Sequence, residues 1–242
     1  MRLTAIFYIF FGVFPVFAAC GGTAADAERG KAAPAERPVA SRAEPATKAR
    51  SQAPRIIVLG DSLTAGLGLD VKDSFPSVLQ HRLDEKGYEF EVVNAGVSGD
   101  TSAGGLRRLE WAMADGTPRI LVVALGGNDG LRGLPPEQLE ANLAAIIEQA
   151  QARSLSVILA GMEAPPNFGA DYTARFRAVY PTLARRYQIP LIPFLLEGVA
   201  GDPAFNQSDG IHPNQRGAQV VADLVWRTLE PALDQARSTT PR

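Results

Sequence analysis

The run RIIVL at residues 55–59 leads without a polar break into Gly60-Asp61-Ser62-Leu63-Thr64-Ala65-Gly66. An apolar, β-branched run that lacks polar alternation reads as a strand covered on both faces. The glycine-rich polar cluster behind it reads as the loop into which that strand delivers the chain. Further along, RILVVAL at 119–125 precedes Gly126-Gly127-Asn128-Asp129-Gly130, and an apolar segment at 88–93 precedes Asn94-Ala95-Gly96-Val97-Ser98-Gly99-Asp100-Thr101. Two shorter strands are expected at 156–160 and 190–192. Helical spacing separates them: Phe75, Val78, Leu79 and Leu83 in 75–86, then Leu106, Leu109 and Met113 in 101–114. Leu139, Leu143, Ile146 and Ile147 share a face in 135–152, and further helices are expected over 170–187 and 214–233. Strands alternating with helices predict an α/β fold, an open parallel sheet with helices on both faces. Sites in such sheets form in the loops beyond the carboxyl ends of the strands. The first three polar clusters should therefore meet at one edge, joined by a fourth, Asp209-Gly210-Ile211-His212-Pro213-Asn214, ahead of the last helix.

What surrounds this domain differs in composition. The chain has 242 residues. Met1-Arg2 and the 15-residue apolar run at 3–17 have the proportions of an export signal, short of the roughly 20 residues that span a bilayer. Phe17-Ala18-Ala19-Cys20 then resembles the lipobox of bacterial lipoproteins, in which the cysteine is lipidated, although Phe17 stands where leucine is usual. The alternative is simple secretion with a free thiol at Cys20. Residues 21–53 contain 11 Ala, 3 Pro and 10 charged residues, too little apolar surface to fold, and read as a tether. The folded domain is thus assigned to 54–235, with a flexible tail at 236–242. Residues 54–242 carry a net charge of −5 against −2 for the whole chain. An acidic domain with no Lys/Arg cluster argues against nucleic-acid binding. A single cysteine excludes an internal disulfide framework, and two histidines make a His-rich metal site improbable.

A serine hydroxyl is a poor nucleophile until a base takes its proton. Only His81 and His212 offer an imidazole. His81 lies in the 75–86 helical pattern and reads as a solvated helix residue, whereas His212 sits in a Gly/Pro-bounded loop. Asp209, three residues before it, is within reach of Nδ1–H, which would leave Nε2 free to deprotonate Ser62. The order Ser, Asp, His matches α/β-hydrolases, but Thr64 stands where their elbow needs its last glycine, so a different turn is expected. Asp61 and Asp129 read as loop-bracing carboxylates. Gly60 to Gly68 lacks the Gly-Lys-Ser/Thr of a phosphate loop. Asn167 and Phe168, after the fourth strand, are candidates to line a substrate pocket.

The four clusters together resemble the SGNH (GDSL) hydrolase family, whose name residues are matched to Ser62, Gly96, Asn128 and His212. GDSLTAG, SGDTS, GGNDGLRG and DGIHPN are most similar to its bacterial thioesterase I, lysophospholipase and arylesterase branch. The resemblance implies a three-layer α/β/α, flavodoxin-like five-stranded sheet and a serine esterase that needs no cofactor or metal. It assigns an oxyanion hole to the backbone N–H groups of Ser62 and Gly96 and the side-chain amide of Asn128. The implied substrate is a small acyl ester, thioester or lysolipid, with contact to the membrane only through a lipid at Cys20 and a periplasmic or secreted location. Two other readings remain: a carbohydrate O-acetyl esterase of another branch, and a non-catalytic envelope binding lipoprotein. The latter predicts a missing Ser, His or oxyanion residue.

Overall fold

The computed structural model describes residues 53–238. The signal, tether and Cys20 readings fall outside them. Five strands form one parallel sheet: β1 (Pro54–Gly60), β2 (Glu91–Gly96), β3 (Thr117–Ala124), β4 (Ser156–Ala160) and β5 (Leu191–Ile192). Their spatial order is β2-β1-β3-β4-β5, the doubly wound order that places a switch point where the chain leaves β1 to either side. Ile56–Leu59 of β1 and Ile120–Val123 of β3 are completely or almost completely buried. Both strands are sandwiched between helices, which is why their sequences show no polar alternation.

Among the described residues, seven α-helices flank the sheet: α1 (Ser62–Ala65), α2 (Phe75–Glu85), α3 (Ser102–Ala112), α4 (Gly127–Leu131), α5 (Pro136–Ala152), α6 (Ala170–Tyr187) and α7 (Gln215–Ser238). One group pairs α2 with α7, and the other runs α3 to α5 to α6, giving the layers on either side of the sheet. The fold is a three-layer α/β/α sandwich. In α5, Leu139, Leu143, Ile146 and Ile147 are all fully buried, as their spacing predicts. α7 begins with Asn214 Oδ1 accepting from the Gly217 N–H at 3.0 Å, and it continues through Pro231 to Ser238, past the predicted end at 233.

Two differences from the sequence expectation matter for the site. The second strand lies three residues further on than predicted. β2 pairs with β1 residue by residue from Arg55↔Glu91 to Gly60↔Gly96, so Asn94–Gly96 are strand rather than loop. Tyr88, predicted as strand, lies in the preceding connection, with its N–H on the Leu83 carbonyl and its ring edge-on to Trp226. In addition, the first and third polar clusters coil into single helical turns, α1 and α4, directly off β1 and β3.

Candidate active site

Ser62 is the first residue of α1. Asp61 caps this turn, its Oδ1 accepting from the Leu63 N–H at 3.0 Å, and Gly66 closes it at φ +74°. Gly60 is required where β1 enters: a Cβ there would lie 1.9 Å from Thr64 Oγ1. As the first residue of this turn, Ser62 has an N–H with no intrahelical acceptor, and no other acceptor for it is found among the described residues.

The fourth cluster arrives opposite. An antiparallel bridge between Asn206 and Pro213 and the Gln207 N–H on the His212 carbonyl at 2.8 Å pinch the loop. Within it, Asp209 Oδ1 accepts from the N–H groups of Ile211 at 2.9 Å and His212 at 3.0 Å, while Oδ2 lies 2.6 Å from His212 Nδ1. His212 Nε2 lies 2.9 Å from Ser62 Oγ. The backbone N–H of His212, then that of Ile211, pulls the Asp209 carboxyl down to about 2, so it is ionised at neutral pH and accepts from Nδ1–H. That bond leaves the lone pair of Nε2 on the serine side. His81 lies elsewhere, exposed on α2 and 3.5 Å from Glu85.

Asn128 stands in α4. Its Nδ2 donates to the Asp100 carbonyl at 2.9 Å and, more weakly, to Asp61 Oδ2 at 3.3 Å. Asp129 beside it is buried and accepts from both the Ser102 N–H at 2.8 Å and the Ser102 hydroxyl at 2.6 Å, which pins α4 to the start of α3. Both aspartates brace loops. Asp61 also pays in charge: burial raises its carboxyl to about 6, against the lowering effects of Leu63, His212 and Asn128.

The expectation for Gly96 does not survive the β2 shift. Gly96 ends a strand, and its N–H is spent on Asn94 Oδ1 at 3.0 Å. It is absent from the cavity wall. What needs a glycine there is packing: a Cβ would lie 2.2 Å from the Ala65 backbone nitrogen. Gly99 is the residue that lies beyond the carboxyl end of β2 and lines the cavity with Ser98. Its φ is +83°, its carbonyl accepts from Arg132 at 2.9 Å, and its N–H has no hydrogen-bond acceptor among the described residues. Gly99 belongs to the same polar cluster of the sequence, three residues after Gly96.

Ser62, His212, Asn128 and Gly99 open onto a cavity of about 600 Å³, within the usual size range for small-molecule pockets. Leu63, Leu131, Met162, Pro165, Phe194 and Ile211 supply much of its wall. Asn167 and Phe168 lie outside that wall, correcting their sequence assignment, while Pro165 and Pro166 are part of it. The 3₁₀ turn Pro166–Phe168 carries the Phe168 ring onto Tyr172, at 5.3 Å between centroids, and over Gly133.

A parallel α/β/α sheet with this serine and histidine at its carboxyl edge defines the class, and sequence comparison agrees. The chain belongs to the GDSL-like lipase/acylhydrolase family, whose model matches residues 58–220. Among named relatives it is 45% identical to the esterase TesA of Pseudomonas aeruginosa over 184 residues, covering 76% of this chain and 92% of that protein. It is 39% identical to the thioesterase 1/protease 1/lysophospholipase L1 of Escherichia coli K12 over 182 residues, covering 75% of this chain and 86% of that protein. A crystal structure of TesA superposes with a TM-score of 0.71 at 46% identity, covering 74% of this chain and 99% of that one.

Proposed function

We propose that the protein is a serine esterase that hydrolyses acyl esters and thioesters through an acyl-enzyme, without a cofactor. The observation that carries this reading is the hydrogen-bonded chain Asp209–His212–Ser62, with links of 2.6 and 2.9 Å, ending at an apolar cavity. His212 Nε2 takes the Ser62 proton as Oγ attacks the carbonyl carbon, and Asp209 stabilises the imidazolium. The developing oxyanion is held by the N–H groups of Ser62 and Gly99 and by Asn128 Nδ2, whose weaker 3.3 Å bond to Asp61 Oδ2 gives way to it while the bond to the Asp100 carbonyl stays. Collapse breaks the ester bond as His212 returns the proton to the leaving group. His212 then deprotonates water, which attacks the acyl-Ser62 carbonyl and releases the acid.

The wall favours an acyl chain over a sugar, which weighs against the carbohydrate O-acetyl esterase reading. The printed activities of the relatives, esterase, thioesterase and lysophospholipase, support the same substrate class. The test is a panel of p-nitrophenyl acetate, octanoate and dodecanoate, a lysophospholipid and an acyl-CoA, run with Ser62→Ala in parallel. Hydrolysis preferring octanoate to acetyl esters and lost in Ser62→Ala supports the proposal. Full activity in Ser62→Ala overturns the mechanism, and no hydrolysis of any panel member by the wild type returns the protein to the binding-lipoprotein reading. We also propose, from residues 1–20, export and lipidation at Cys20, which would set lysolipids and other envelope esters above acyl-CoA as natural substrates. A fatty-acid probe that labels wild type and Cys20→Ala equally contradicts it.

A further inference from the structure

Arg108 projects from the last turns of α3, and its side chain is only 17% exposed. Its guanidinium divides its donors among three separate segments. Nε donates to Asp100 Oδ2 at 2.5 Å, Nη1 to the Ala95 carbonyl at 2.8 Å and Nη2 to the Gly60 carbonyl at 2.7 Å. Gly60 and Ala95 are near the carboxyl ends of neighbouring strands β1 and β2, and the Gly60 carbonyl also accepts from the Val97 N–H at 3.1 Å, so the guanidinium joins a junction where β1 already meets the loop that leaves β2.

Each of these acceptors stands beside one element of the oxyanion hole. Gly60 precedes the Asp61-Ser62 turn that presents the Ser62 N–H. Asp100 follows Gly99 directly, and its backbone carbonyl anchors the Asn128 amide at 2.9 Å. Ala95 ties the same guanidinium to the strand from which the Gly99 loop leaves. Asp100 has little room to move toward α3, because even a Cβ at Gly104 would lie 2.5 Å from its Oδ1. We infer that Arg108 is a positioning residue: one guanidinium that sets the mutual spacing of the Ser62 N–H, the Gly99 N–H and Asn128 Nδ2. This inference rests on the serine-esterase reading proposed above. Arg108 touches neither substrate nor reacting atoms. It acts through Gly60, Ala95 and Asp100.

The geometry demands arginine. Lysine keeps the charge but concentrates its donors on one nitrogen, and it cannot bridge three acceptors held by a planar fork. The test therefore uses Arg108→Lys and Arg108→Met in the full chain, with the exposed neighbour Arg107→Met as control. Steady-state hydrolysis of p-nitrophenyl butyrate gives kcat and KM, thermal melting reports folding, and Ser62→Ala is run alongside. Loss of one oxyanion donor costs about 10²–10³ in turnover, and both Arg108 variants are expected to lose about 10²-fold in kcat with KM within about threefold of wild type. Because misplacing Asn128 and deleting it remove overlapping stabilisation, Arg108→Met combined with Asn128→Ala should fall well short of the product of the single losses. If Arg108→Met does not fold, Arg108→Lys and its combination with Asn128→Ala carry the same comparison.

A folded Arg108→Lys enzyme with wild-type kcat overturns the inference, as does a loss confined to KM or a loss that multiplies with that of Asn128→Ala. Ser62→Ala separates the two levels. If it is inactive while Arg108→Lys is unimpaired, only the positioning role fails. If Ser62→Ala is active, the esterase mechanism fails with it.

Discussion

Asp61 is a carboxyl that the fold prefers neutral, and its replacement by asparagine should reverse a pH trend in stability. Burial lifts its pKa from the ordinary 3.8 to about 6. A shift of about two units corresponds to about 3 kcal/mol at about 1.4 kcal/mol per unit. Because the folded value lies above the unfolded one, this stabilisation is fully present below pH 3.8 and is lost as pH rises through 6. Asp61→Asn keeps an acceptor for the Leu63 N–H and abolishes the titration. Its altered contact with Asn128 adds an offset that does not follow Asp61 ionisation. Urea unfolding of wild type and variant at several pH values should therefore give a stability difference that moves in the variant's favour by about 2.5 kcal/mol between pH 4 and pH 7.5. Parallel pH profiles, with a constant difference across that range, would refute the assignment of a buried ionisable group beneath the nucleophile.

Other substitutions separate chemistry from packing. Asp209→Asn should leave the loop folded, since Oδ1 can still accept from Ile211 and His212, while disturbing the imidazole tautomer; kcat is expected to fall about 10³–10⁴-fold with little change in KM, measured with p-nitrophenyl esters. Gly96→Ala drives a methyl into the Ala65 backbone, and thermal melting should register a loss of about 1–3 kcal/mol; unchanged stability would show that α1 does not rest on β2 as described. Because Asp209 is held down to about 2 by backbone N–H groups, its contribution to stability is present above pH 3.8 and lost as pH falls through 2. Asp209→Ala should consequently converge on wild-type stability under strong acid.

Much of this architecture is legible along the chain because burial dictates composition. β1 and β3 lie under helices on both faces and read as unbroken apolar runs, and the fully buried stripe of α5 repeats at helical spacing. His212 stands out because the chain has only two histidines and the other sits in a helical pattern, Asp209 because it lies three residues before it, and Ser62 because its cluster resembles the GDSL box. β2 is harder to place. It is an edge strand whose limits are set by pairing with β1, and pairing leaves no periodic mark, so the apolar Tyr88 and Phe90 draw the prediction toward the preceding connection. The resemblance matches Gly96 to a name residue of the family, and the three-residue shift puts that glycine inside β2, with Gly99 in the loop beyond it. Asn167 and Phe168 were misplaced for a related reason: sequence puts them after β4 but does not show which way a 3₁₀ turn points its side chains. Arg108 carries no sequence signal of its role, since its acceptors are backbone oxygens contributed by distant segments.

The central claim is that Ser62, activated by His212, becomes covalently acylated. Incubation with an alkyl fluorophosphonate followed by intact-mass measurement and peptide mapping tests it most directly. One adduct per chain, located on Ser62, absent from Ser62→Ala and slowed by orders of magnitude in His212→Ala, is the predicted result. Labelling of another residue, or hydrolysis that continues at the wild-type rate once Ser62 is fully modified, would contradict it.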